Sequence, residues 1–206
     1  PLPPRAIVEG DTRNRFGYFG QINPFKGLDV LLKALHSMTK DERRKVVLEV
    51  HGANLEVQSG EFRDKIKELV DPLVKKGVVQ WMGPYQPHEL RSRMAGIDWV
   101  VVPSVWWENS PMVIQEAFVC GRPLLVSDIG GMAEKVRAGV DGMHVAAGNA
   151  LAWKAALLTA AGSDTSWTEK AMGITMPLSH SACAQAHLDL MNEPAGAIPA
   201  GQYRIS

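Results

Sequence analysis

The segment WWENSPMVIQEAF, residues 106–118, places Glu108 and Glu116 with seven residues between them, on either side of a helix start. Carboxylates flanked by Trp106, Trp107, Val113 and Ile114 call for a polar partner. An ionised carboxylate accepts two hydrogen bonds strongly, which suits the vicinal hydroxyls of a sugar. Either Asn109 or Ser110 can cap the helix, leaving free amides pointed at an anion. With Glu116 about six residues inside it, the carboxylates lie ~9 Å apart along the axis, room for a diphosphate between two sets of hydroxyls. The plainer alternative is a capping-region charge and a solvated helix residue.

Two further loops carry chemistry. In GQINPFKG (20–27), Gly20 and Gly27 let backbone approach a ligand, and Lys26 sets a cation near a helix start, an arrangement that fits a phosphate. A tight turn with an exposed lysine is the competing reading. The pattern is neither G-x-G-x-x-G nor a P-loop, so neither an NAD site nor an ATPase is indicated. SDIGGMAEKVRAGVDGMHV (127–145) adds a second glycine turn before a helix, with Glu134 in the first turn, where the helix dipole favours it. His180, Cys183 and His187 fall near one another, but packing or surface placement is the commoner outcome of such spacing than a metal site. Trp106 and Trp107 either pack against the sheet, the commoner outcome, or line a sugar pocket.

Strand and helix patterns alternate to position these loops. FGYFG (16–20), VVLEVHG (46–52), VVQWMG (78–83), DWVVVPS (98–104), PLLVSD (123–128) and DGMHVAAG (141–148) read as strands. Helical spacing covers 28–38, 62–77, 87–96, 110–121, 132–139 and 151–162, with two more stretches near 166–173 and 181–191. KDERRK (40–45) reads as a solvated turn. The expected fold is α/β: a doubly wound, mostly parallel Rossmann-like sheet of about six strands with helices on both faces. Ligands of such sheets bind beyond the carboxyl ends of the strands, where strand order reverses. Residues 1–15, Pro-rich and polar, read as a linker, 16–192 as the binding domain and 193–206 as a loosely ordered tail.

Composition narrows the function. With 206 residues, 46% hydrophobic and 21% charged, the chain is ordinary for a globular protein. Its 22 basic and 22 acidic residues give no net charge, which argues against nucleic acid. Cys120 and Cys183 form no disulfide framework and suggest a reducing, cytoplasmic compartment; Cys120, in an apolar run, is expected to be a buried free thiol. No apolar run reaches the ~18 residues of a membrane span, and no signal peptide is visible. The chain opens on Pro rather than Met, which suits a piece of a longer protein.

The order of these segments resembles the C-terminal, donor-binding half of GT-B glycosyltransferases, specifically the retaining family-4 enzymes, over roughly residues 14–162. The pattern G-R-x-x-x-x-K-G is similar to Gly20–Gly27, Pro-Ser followed by E-x7-E to Pro103, Ser104, Glu108 and Glu116, and G-G-x-x-E-x-[VI] to Gly130, Gly131, Glu134 and Val136; the trailing G-x-x-G matches Gly139 and Gly142. The resemblance implies a hexose moved from a UDP- or GDP-sugar to a glycan or lipid-linked acceptor, with no cofactor or metal. Lys26 would neutralise the diphosphate, Glu108 would contact the transferred sugar and Glu116 the ribose. Amides from Ser110, Pro111 being without one, through Met112 to Val113, beside Asn109, would receive phosphate and sugar oxygens. Gly20 and Gln21 would edge the phosphates; Gly52, Met82, Gly83 and Tyr85 would edge the base. Gln21 stands where the family has arginine, and a neutral amide pairs poorly with phosphate. That departure leaves a non-catalytic nucleotide or sugar-phosphate binding module as the alternative. The acceptor-binding N-terminal half is absent; peripheral membrane association through that half, and dimerisation through the surface it would cover, are further expectations.

Overall fold

The structure, a computed structural model, describes residues 1–7 and 12–192. The described chain divides into two compact units, Pro1–Thr175 and a second beginning at Met176.

The first unit is built on six strands: β1 (Arg15–Gln21), β2 (Val47–Ala53), β3 (Val79–Trp81), β4 (Trp99–Val102), β5 (Leu124–Ser127) and β6 (Gly142–Val145). They lie in the order β3-β2-β1-β4-β5-β6, every pair parallel. Strand order reverses between β1 and β4, which opens a crevice at their carboxyl ends. Between the strands run α1 (Leu28–His36), α2 (Lys40–Arg43), α3 (Gly60–Lys75), α4 (Leu90–Ala95), α5 (Met112–Val119) and α6 (Gly130–Lys135), and after β6 come α7 (Ala150–Ala161) and α8 (Asp164–Gly173).

Side chains alternate across β4: Trp99 and Val101 enter one core, Val100 and Val102 the other. The first core joins the sheet to α1, α3, α7 and Trp167 of α8; the second holds Met94 of α4, Ile114, Ala117 and Phe118 of α5 and Met132 of α6. The doubly wound reading therefore holds, because strands buried on both faces read as continuous apolar runs. Cys120 is buried as expected, while Cys183 is exposed.

Several local expectations are corrected. Only residues 44–45 of KDERRK form a turn; 40–43 are helical, with Thr39 capping α2 through the Glu42 amide and the Glu42 carboxylate accepting from the Thr39 amide, a reciprocal box. The helix expected at 132–139 begins at Gly130, so Gly130 and Gly131 lie inside its first turn and Glu134 falls beyond it. At the amino terminus, the Leu2 amide donates to the Cys120 carbonyl, and Arg5 pairs with buried Asp98 at 2.8 Å. Arg13 reaches the same carboxylate at 3.2 Å, and the Arg15 amide at 3.0 Å.

The second unit contains α9 (His180–Asn192). On it the ring Nδ1 of His187 lies 2.8 Å from the Cys183 carbonyl oxygen, a bond along the helix. The tail expected at 193–206 lies outside the described residues.

Candidate functional site

The loops after β1 and β4 meet at the strand-order reversal. Gly27 makes this contact possible: with φ 70° it occupies the left-handed region, and a Cβ there would sit 1.9 Å from the Pro103 carbonyl oxygen. A third loop closes on the other side. The Gly131 amide donates to the Glu108 carbonyl at 2.6 Å, and a Cβ at Gly131 would lie 1.9 Å from the Asn109 carbonyl oxygen. The segment 103–109 is thus clamped between Gly27, the N-cap of α1, and Gly131, in the first turn of α6.

That clamp aims Glu108. Its Oε2 accepts from Lys26 Nζ at 2.6 Å, and its other oxygen accepts from the Ser104 hydroxyl. Lys26 is one-third exposed, so the pair faces the crevice rather than the core. Behind it, the buried Tyr18 hydroxyl donates to the Gln21 carbonyl at 2.6 Å. Burial, and then the nearby Glu108 charge, push that phenol well above its ordinary range.

Glu116 stands apart. α5 starts at Met112, so Glu116 is its fifth residue, about 6 Å along the axis rather than ~9 Å. Its carboxylate makes no hydrogen bond or ion pair among the described residues, and burial raises its pKa. The Tyr85 phenol beside it is also pushed up, by burial first and the Glu116 charge second. Tyr85 is held edge-on to Phe19, whose ring stacks on His51 at 4.3 Å. Arg93 covers Tyr85 and donates to the carbonyls of Met82 at 3.2 Å and Pro84 at 3.1 Å, fixing the turn through Gly83.

Side-chain capping divides the helices of the first unit: α1, α4, α5 and α6 have none, and the other four do. α2, α3, α7 and α8 are capped by Thr39, Ser59, Asn149 and Ser163. α1 and α5, which follow β1 and β4, have no side-chain cap; their N-cap residues are Gly27 and Pro111. Neither Asn109 nor Ser110 caps α5, contrary to expectation. Pro111 is extended at ψ 114°, and Asn109 and Ser110 are both exposed. A missing side-chain cap typically costs ~1 kcal/mol, but only a few tenths where the N-cap is glycine, as at Gly27. In each first turn one amide is already taken by the N-cap carbonyl, Val30 by Gly27 and Ile114 by Pro111, and the start of α1 is buried, so the unfilled amides are those of the first two residues of each helix.

Other expected residues fall as follows. Gly20 and Gln21 end β1, and the Gln21 side chain is exposed. Gly52 pairs with Gly20, and a Cβ there would meet Ile22 at 2.6 Å, which explains the residue by packing. Met112 and Met82 are exposed, and Val113 is half-buried. Trp106 and Trp107 do not pack on the sheet: they are 60% and 70% exposed, with Trp106 edge-on to exposed Phe25 at 5.4 Å. Ser104, Arg93 and His51 were not anticipated as site residues. Ser104 stood in the Pro-Ser pattern; nothing in the local sequence marks Arg93 or His51. Among the described residues no group of three or more His, Cys, Asp or Glu could hold a metal ion, and no helix is long and apolar enough to cross a membrane.

The sequence pattern of a family described as glycosyl transferases group 1 matches residues 4–170. A protein named as an uncharacterized glycosyltransferase of Methanocaldococcus jannaschii is 30% identical over 152 residues, 72% of this chain and 36% of that protein. A D-inositol 3-phosphate glycosyltransferase of Rhodococcus opacus is 33% identical over 157 residues, 74% of this chain and 34% of that protein. The chain thus spans about a third of the length of these curated relatives. Among solved structures, Anabaena HepE in complex with UDP-glucose has a similar fold, with TM-score 0.65 and 23% identity over 87% of this chain and 49% of that one.

Proposed function

The chain belongs to the glycosyl transferases group 1 family, and on that premise we propose that it is the donor-binding half of a retaining, family-4 type glycosyltransferase that moves a hexose from a nucleotide-diphospho-sugar. The observation that carries this reading is the Lys26–Glu108 pair at the strand-order reversal, with the uncapped start of α1 two residues after Lys26 and that of α5 four residues after Glu108. Unfilled amides and a partly exposed lysine are what a diphosphate needs, since the donors are fixed before the charge arrives.

In this reading the diphosphate draws Lys26 away from Glu108. Glu108, still held by Ser104, then accepts from hydroxyls of the sugar. Glu116 accepts from the ribose hydroxyls, its carboxylate having no other partner, and the Tyr85 turn edges the base. The bond between the anomeric carbon and the diphosphate oxygen breaks, and its electron pair leaves with the nucleotide. The acceptor oxygen bonds to the same face, and its proton passes to the departing phosphate oxygen. The acceptor would be held by the other half of the enzyme, outside these residues. A UDP-sugar is the first donor to try, given the UDP-glucose complex of Anabaena HepE.

One observation favours a second reading, a nucleotide-binding module without turnover. Gln21 is neutral and exposed at the end of β1, so no guanidinium there stabilises the leaving diphosphate.

The deciding measurement is calorimetric and thermal-shift titration with UDP, GDP, ADP and dTDP. Selective stabilisation by one diphosphate, lost in Lys26→Ala and Glu116→Gln, is expected. A cooperatively folded sample that binds none of the four would overturn the reading.

A further inference from the structure

At the opposite, amino end of the sheet lies a cavity of about 490 Å³, bounded by α2, the end of α3 and the start of β3. The seven residues of β2 separate it from the donor crevice, a distance of about 20 Å. Four cationic side chains line it, Lys40, Arg43, Arg44 and Lys76, over an apolar floor of Val46 and Val78, and no carboxylate is among its lining residues. In a chain of zero net charge this is a local excess.

Its parts differ in how they are held. Arg43 is fixed, its guanidinium donating to the Leu35 carbonyl at 3.0 Å and the His36 carbonyl at 2.7 Å. Arg44 reaches only exposed Asp41, at 3.1 Å, a contact that contributes little in water. Glu42, the other acid of α2, is turned to Lys154 at 2.8 Å and to the Thr39 amide. Lys40 and Lys76 have no carboxylate partner among the described residues. The dipole of α3 favours Lys76 at its carboxyl end, while α2 is a single turn and gives Lys40 no comparable stabilisation.

We propose that this cavity binds a phosphate-bearing ligand, separately from the donor site. The shared chemistry is a phosphoryl anion set against Lys40, Arg44 and Lys76, with Arg43 as the rigid wall and the valine floor accepting an apolar stem. A phospholipid headgroup and a soluble phosphate ester both meet that description.

The test uses two probes. Inorganic pyrophosphate is titrated into protein carrying Lys26→Ala, which removes the lysine of the donor crevice, and the amide resonances of Val47, Gly77 and Val78 are followed. Saturable shifts are expected, with affinity falling at least tenfold when Lys40→Glu and Lys76→Glu are added; both side chains are exposed, so folding is retained. Co-sedimentation with phosphatidylglycerol–phosphatidylcholine vesicles, against phosphatidylcholine alone, separates the sources. Retention lost in the lysine variant identifies a headgroup; pyrophosphate binding without retention identifies a soluble ester. Amides that stay unmoved together with no anionic-vesicle retention, or a lysine variant that binds as well as its parent, overturns the proposal.

Discussion

Replacing Glu116 by glutamine should separate folding from binding. Burial holds the Glu116 carboxyl above the ordinary carboxylate range, so the folded chain keeps a proton there over a pH interval in which the unfolded chain has released it. Stability contributed by that protonated form is present at low pH and falls as pH rises through the interval. Glutamine has no such proton, so the empty variant should melt at a higher temperature than its parent at pH 7.5, with the gap closing below the ordinary value of 4.5. The group is half-buried, so the gain is modest. Binding moves the other way. The carboxylate in the proposed complex accepts two hydroxyl hydrogen bonds, and an amide oxygen with an adjoining NH2 replaces one of them poorly. Losing one charged hydrogen bond costs ~1.5–3 kcal/mol, a weakening of about tenfold to a hundredfold in Kd. Scanning calorimetry of the empty protein and titration with the preferred nucleotide, each at pH 7.5 and 5.0, measure both effects. In the parent, affinity should fall with pH as Glu116 protonates; in Glu116→Gln that component should be missing. A variant that binds as tightly as its parent, or whose empty form is less stable at pH 7.5, would refute the assignment of an unpartnered, ligand-accepting carboxylate.

Gln21→Arg places a cation at the end of β1 and should tighten diphosphate binding by about 1.5–3 kcal/mol, read by the same titration and weakened by added salt. Gly131→Ala forces a Cβ against the Asn109 carbonyl oxygen; a cost of ~1–3 kcal/mol in urea unfolding is expected, together with lost nucleotide binding, because the clamp on 103–109 opens. Asp98→Asn leaves Arg5 and Arg13 facing a neutral group at a fully buried position. Denaturant unfolding should show a loss of ~3–5 kcal/mol, with nucleotide affinity unchanged in the folded fraction.

Local patterns made much of the frame legible. Continuous apolar runs such as WVVV at 99–102 and the helical spacing of Leu28, Leu31, Leu32 and Leu35 depend on residues a few positions apart, so the α/β alternation is written in the chain itself. So were the glycine loops and the two glutamates. The miss at α2 was a matter of signal: Thr39 and Glu42 carry the capping-box spacing, but the mixed charges of KDERRK masked it.

What the sequence could not decide was which loops meet. Lys26 and Glu108 are 82 positions apart and form a pair only because β1 lies beside β4 rather than β3. The same adjacency explains why Gly27 must lack a side chain, and the position of β5 next to β4 explains Gly131. The exposure of Trp106 and Trp107 follows from a loop pinned at Pro103 and Glu108, since the pinned backbone turns its rings outward whatever their hydrophobicity. The residue types that could bind a phosphorylated sugar are set locally. Their meeting at one crevice is set by strand order, a long-range choice that no window of the sequence contains.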